Sequence, residues 1–214
     1  MSIKMEAIFI FCRQLLMVES DGYATSKAVL RAFEWSTASG KWLESLRTPA
    51  AIGKNGMTAS KREGDRKTPI GLFRMGTGFG TMPPPAGCEW PYRLVGQNDY
   101  WVDDPESPDY NQWVNFEGDP KERWKSFERL AISPYAYAAV IRYNDSPVVA
   151  GRGSAIFLHL WGGPDSASAG CVTVARDEVV RILQWLVPER HPHMAIGTSR
   201  ELSVLVPFYA STQN

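Results

Sequence analysis

The chain has 214 residues, enough for one domain with a sizeable core, and its 44% hydrophobic and 21% charged residues are ordinary for a globular fold in water. Twenty-three basic residues balance twenty-three acidic ones, so the cationic excess of a nucleic-acid binder is missing. No apolar run reaches the roughly 20 residues that a bilayer-spanning helix needs.

Residues 1–13 read as a leader outside the core. Lys4 precedes a short apolar run at 7–12, but no small-x-small cleavage site follows, so no convincing signal peptide is present. Residues 14–20 and 29–35 are apolar, partly alternating runs separated by Asp21-Gly22, and they predict an opening pair of strands. A third short strand is expected at 49–53, stopped by Gly53-Lys54-Asn55-Gly56. The polar run 60–67 reads as a solvated turn, with a cleft-edge loop as the rival reading, and a strand resumes at 68–73. Residues 76–118 form a long irregular stretch rich in Gly, Pro, Trp and Tyr. Segments of this length in a compact domain are functional or disordered, and the aromatic content argues for order.

Asp119-Pro120-Lys121-Glu122 predicts a helix start, with an N-cap acid and proline at the first helical position, and places Trp124 and Phe127 on one face. Strands are expected at 137–143, 155–160 and 172–174. Val179, Ile182, Leu183 and Leu186 follow helical spacing, so 177–186 predicts a helix ended by Pro188. Residues 198–214 read as an extension packed on the same domain, one more strand or a tail. The expected fold class is mainly β, a sandwich or barrel with one or two helices and a long aromatic-rich insertion.

Two residues stand out chemically. Cys171 lies in Ser168-Ala169-Gly170-Cys171, shortly after His159 at the end of an apolar strand. A thiol is a weak nucleophile until deprotonated, and a neighbouring imidazole can take its proton. Gly170 has no Cβ, so a carbonyl could approach the N–H groups of Gly170 and Cys171 as an oxyanion hole. Of the other cysteines, Cys12 and Cys88 could pair under oxidising conditions, though nothing in the sequence requires it. His191 and His193 lack further ligands at metal-binding spacing, and no metal or cofactor is expected. Trp101, Tyr110 and Trp113 read more readily as core packing than as a substrate-facing wall.

His159, the link Gly162-Gly163-Pro164 and Ser168-x-Gly170-Cys171 together resemble the catalytic motif of the L,D-transpeptidase (YkuD-like) family. The resemblance extends to Lys61-Arg62-Glu63-Gly64-Asp65, Thr68-Pro69-x-Gly71-x-Phe73, Trp101-Val102-Asp103-Asp104-Pro105, Tyr110-Asn111, Tyr143-Asn144 and the approach from Gly151 to His159. It covers about residues 14–197, which defines the expected catalytic domain. It implies a small β-sandwich or barrel, Cys171 as nucleophile and His159 as its base. The implied chemistry is acyl transfer on peptidoglycan stem peptides through a thioester, in the cell envelope or periplasm, by a monomer. The departures are Leu160 after His159, Ala169 before Gly170, and Thr173 where many members carry arginine. Ser168, Gly162, Arg152 and Arg62 are the further candidates for substrate contact, with Arg152 or Arg62 as the source of positive charge. An L,D-carboxypeptidase or endopeptidase using water, and a non-catalytic wall-binding module, are the competing readings. A papain-like enzyme is disfavoured because His159 precedes Cys171.

Overall fold

The computed structural model describes residues 11–212. Its frame begins with β1 (Gln14–Glu19), antiparallel to β2 (Lys27–Ser36), as expected from the two apolar runs. β3 (Lys41–Ala51) returns through a tight turn in which Gly40 takes φ 61° and donates its N–H to the Ser36 carbonyl at 2.8 Å. The sequence shows only the end of this strand. Its first half is a solvated hairpin arm, so its polar residues give no apolar signal.

β4 (Met57–Thr58) and β5 (Thr68–Pro69) pair in parallel and bracket the loop 59–67. β6 (Gly71–Gly80) runs on past the expected strand into the stretch that the sequence leaves irregular. That stretch also holds β7 (Tyr92–Leu94), β8 (Asp99–Val102) and β9 (Trp113–Asn115). The helix at the Asp119 cap, α1 (Pro120–Arg123), has the expected start: Asp119 accepts the Lys121 N–H, and proline occupies the first turn. It ends after four residues, however. Trp124 is already extended, and Phe127 opens β10 (Phe127–Arg129), so the two rings share a small-sheet core with Tyr100 rather than a helix face.

The remaining elements are β11 (Ala138–Ile141), β12 (Phe157–Leu160), β13 (Val172–Val174), α2 (Arg176–Trp185), β14 (His193–Gly197) and α3 (Ser199–Leu205). The main sheet runs β11-β12-β13-β3-β2-β1-β14-β6, and β6 pairs back onto β11. The sheet therefore closes into a barrel, with β7 added beside the end of β6. Closure removes the exposed edges of an open sheet. The helix α2 is the one that the periodic apolar residues predict, and it plugs the barrel core with Val179, Ile182 and Leu183.

Two outer faces of the barrel are covered. Leu16 and Val18 of β1 point into the barrel, while Leu15 and Met17 pack outward against Leu202 and Val206 on and after α3. The expected final strand or tail is thus a helix, opened by a capping box between Thr198 and Glu201. The second cover is the excursion between β6 and β11, folded around the sheet β10-β8-β9. Its residues Trp101, Leu130 and Tyr135 pack with Phe157 and Cys171 on the outside of β12 and β13. Most of the expected leader lies outside the described residues. Its end does not behave as one: Cys12 is fully buried, and Arg13 donates its N–H to the Arg190 carbonyl at 2.7 Å.

Candidate active site

β12 and β13 run parallel, with Leu158 opposite Val172 and His159 opposite Thr173. Alternation along the strands then puts Phe157 and His159 on one face and Leu158 on the other. Leu158 and Val172 belong to the barrel core, so the His159 face is the outer one, and Cys171 is packed there with Phe157. The imidazole and the thiol are diagonal neighbours on one face. Both line a cleft of about 790 Å³.

The nucleophile turn is held rigidly. Ser168 Oγ accepts the Gly170 N–H at 3.0 Å and donates to the Cys171 carbonyl at 2.6 Å. Ser168 also donates its N–H to Ile52 and accepts the Lys54 N–H through its carbonyl, which stitches the turn to the end of β3. Gly170 takes φ 147°, and a Cβ there would come within 3.0 Å of the Lys67 carbonyl, so only glycine fits without a shift. These contacts bear on the oxyanion hole expected at Gly170 and Cys171. The Gly170 N–H is already engaged by Ser168, whereas the Cys171 N–H has no acceptor among the described residues. Ser168 is accordingly the brace of the turn.

The thiol donates to the Ala155 carbonyl at 3.3 Å and faces the Phe157 N–H at 3.4 Å. Burial pushes its pKa up to about 12, with Glu128 adding to the rise and Lys61 opposing it. Burial also draws His159 down to about 4, against the carbonyls of Leu160 and Pro134, which favour the charged ring. At neutral pH both partners rest uncharged. His159 Nδ1 lies 2.8 Å from the Leu160 carbonyl. A carbonyl only accepts, so in the neutral ring this contact assigns the proton to Nδ1 and the lone pair to Nε2. The ring is further held edge-to-face by Tyr135 at 4.9 Å.

The family model of the L,D-transpeptidase catalytic domain, YkuD, matches residues 31–199. The chain belongs to this family. No curated protein matches it. The YkuD match spans the excursion that forms the second cover, together with β12, β13 and the turn that carries Cys171, and it stops at the first residue of α3.

Other candidates are distributed unevenly around this YkuD cleft. Gly162 and Ser168 line it, and Gly162 is itself ordered by a hydrogen bond to Ser166 Oγ at 3.1 Å. Arg62 and Arg152 are exposed and line a separate depression with Ser60, Ala150 and Gly151. Trp101 and Tyr110 are buried, in line with the core reading, and Trp113 packs at the rim of the cluster that holds Trp101. Cys12, Cys88 and Cys171 are all free thiols.

Sequence reasoning missed the far wall of the cleft, formed by Glu63, Asp103, Glu128 and Tyr135. Tyr135 donates to Glu128 at 2.7 Å, and burial together with Asp103 and Glu63 lifts the Glu128 carboxyl to about 7. Burial likewise raises Asp103. Glu63 accepts from Tyr110 at 2.5 Å and Ser154 at 2.7 Å, which ties the loop 59–67 to the cleft. The Lys61-Arg62-Glu63-Gly64-Asp65 and Tyr110-Asn111 motifs were visible as part of the resemblance. Their meeting at one site was not, because they come from distant segments.

Proposed function

We propose that this YkuD domain is a peptidoglycan L,D-transpeptidase. The observation that carries the reading is the placement of Cys171 and His159 as same-face neighbours on parallel strands, open to one cleft, with Nδ1 pinned by the Leu160 carbonyl. Cys171 attacks the carbonyl carbon of an L-centred residue in a stem peptide. The S–C bond forms, the π pair moves to oxygen, and the thiol proton passes to His159 Nε2. The Cys171 N–H is the backbone donor available to the oxyanion. Collapse of the oxyanion breaks the C–N bond, and the imidazolium returns its proton to the departing amine of the D-residue. The amine of a second stem peptide then attacks the thioester carbonyl carbon and gives a proton to His159. A C–N bond forms, the C–S bond breaks, and the imidazolium returns that proton to the departing sulfur, regenerating the thiol.

Because both groups rest neutral, proton transfer is coupled to attack rather than stored beforehand as an ion pair. Burial opposes either charge alone; the pair of opposite charges formed during attack offsets part of that cost. The substrate class implies action at the cell envelope.

The test is incubation with a tetrapeptide stem, with and without an amine acceptor, beside intact-mass analysis after exposure to a carbapenem. A cross-linked product and an adduct lost in Cys171→Ala are expected. Trimmed peptide alone, with acceptor present, would make the enzyme a carboxypeptidase. Absence of any adduct, with wall binding retained in Cys171→Ala, would make the domain a binding module.

A further inference from the structure

Polarity alone reads the loop 59–67 as solvated, yet it buries its first lysine. Lys61 keeps 4% of its surface exposed. Its stem lies over Gly153, where a Cβ would come 2.7 Å from Lys61 Cγ, and passes Gly170, whose Cβ would lie 3.6 Å from Lys61 Cε. The ammonium donates to Asp65 Oδ1 at 2.6 Å and to the Arg62 carbonyl at 3.2 Å. An ammonium has three N–H donors, and the third has no acceptor among the described residues. Lys61 also lines the cleft that holds Cys171.

A buried ion pair is weak support for stability, since apolar residues of similar volume often do as well. Its position beside the nucleophile turn offers a different reason for it. Thr173, standing where the family resemblance places arginine, turns its hydroxyl to the Ala51 carbonyl at 3.3 Å and brings no charge. Arg62 and Arg152 line another depression. Asp65 is itself immobilised: Oδ1 accepts the Lys67 N–H and Oδ2 the Arg62 N–H, each at 2.9 Å.

We propose that Lys61 is the cation of this site, stabilising negative charge on the Cys171 sulfur and then on the oxyanion that its attack creates, with the third N–H as donor to that oxygen. The inference rests on the acyl-transfer reading above. Lys61 transfers no proton and keeps its charge throughout; the thiol proton goes to His159 and the carbonyl π pair to oxygen. The charged and titratable groups that share the cleft with Cys171 are Lys61, Glu63 and Arg66 from the loop, Asp103 after β8, Glu128 from β10, Tyr135 from the turn before β11, and His159 from β12. Two of these are cations: Arg66 is exposed at the cleft edge, whereas Lys61 is buried and its charge is the one that acts on Cys171.

The pH dependence of Cys171 alkylation by iodoacetamide tests this without any substrate. It is followed at the Cys171 peptide by mass spectrometry, so Cys12 and Cys88 do not interfere. Asp65→Asn removes the counter-charge and keeps the cation, so alkylation near pH 7 should quicken several-fold. Lys61→Met with Asp65→Asn removes both without leaving an orphaned carboxylate. It should slow alkylation about tenfold or more, as expected for a thiol pKa raised by a unit. A folded double variant alkylated at the wild-type rate would reduce Lys61 to a structural partner of Asp65. Asp65→Asn alone leaving the rate unchanged or lower would overturn the proposal equally, even if the double variant fails to fold. Loss of cross-linking with the alkylation trend intact would instead count against the transpeptidase reading.

Discussion

Glu128 and His159 carry opposite burdens in one cleft, and the signs of their titrations separate them. His159 falls from an ordinary 6.5 to about 4, so between those values the unfolded chain binds the extra proton. Stability from this group is complete above 6.5 and is lost as pH falls toward 4. Glu128 rises from 4.5 to about 7, chiefly through burial, so the folded chain binds the extra proton there. Its contribution is complete below 4.5 and is lost as pH climbs to 7. The slopes oppose one another between about 4.5 and 6.5. Glu128→Gln keeps an acceptor for the Tyr135 hydroxyl and removes one slope. Its stability relative to wild type should therefore improve from pH 4.5 to 7, by about 2–3 kcal/mol in urea unfolding. A pH-independent difference would show that the carboxyl is not held protonated. Cys171 and His159 were legible in sequence because a glycine, a serine and a strand end surround them locally. Glu128 was not, since its meaning arises only when β10 is laid across the outside of β12.

At the scale of elements, legibility followed the pattern of burial. The helix α2 buries one stripe, so periodicity reveals it. β1 is buried on both faces, Leu16 and Val18 inward and Leu15 and Met17 outward, which produces a continuous apolar run. Half of β3 is solvated, which hides it. The helix α3 was missed because its apolar run continues through Val206 to Phe208 and Tyr209 and resembles a strand, although the capping signal Thr198-x-x-Glu201 was present. The Thr198 hydroxyl and N–H both contact Glu201 Oε2, the N–H at 3.0 Å, and Glu201 also receives the Tyr23 hydroxyl at 2.5 Å. Thr198→Ala should cost about 1 kcal/mol of global stability, measured by denaturant midpoint, because one helix-end donor loses its partner. Carbapenem acylation should be unchanged, since α3 covers the face of β1 and β14 rather than that of β12.

For the whole molecule, the question is how an excursion of more than fifty residues becomes the wall of a site on a barrel that is already closed. Asn111 supplies much of the answer. It is buried at 6% exposure with φ 56°, a conformation that asparagine tolerates better than most residues. Its Oδ1 accepts the Trp101 indole N–H at 2.9 Å and the Ala155 N–H at 3.2 Å. Its Nδ2 donates to the carbonyls of Tyr143 and Asn144 at 3.0 and 2.8 Å. One side chain thus joins the excursion, the end of β11 and the entry to β12, two residues before Phe157. Ala155 also accepts the Cys171 thiol, so the hub lies one hydrogen bond from the nucleophile. Asn111→Ala would strand two donors and two acceptors at buried or half-buried positions and place alanine at positive φ. Each stranded group costs about 1–3 kcal/mol before water or relaxation compensates part of it. The barrel has its own large core, whereas the excursion has only the small core around Tyr100 and Trp124 and is joined to the barrel through Asn111, the Tyr110 hydroxyl and the ring cluster around Phe157. The variant should therefore loosen the excursion first. Limited proteolysis should cut between 81 and 137 at denaturant concentrations where the barrel still resists, and carbapenem acylation should fall with it. Cleavage throughout the chain at one common midpoint would show instead that wall and barrel unfold as a single cooperative unit, with Asn111 bracing both.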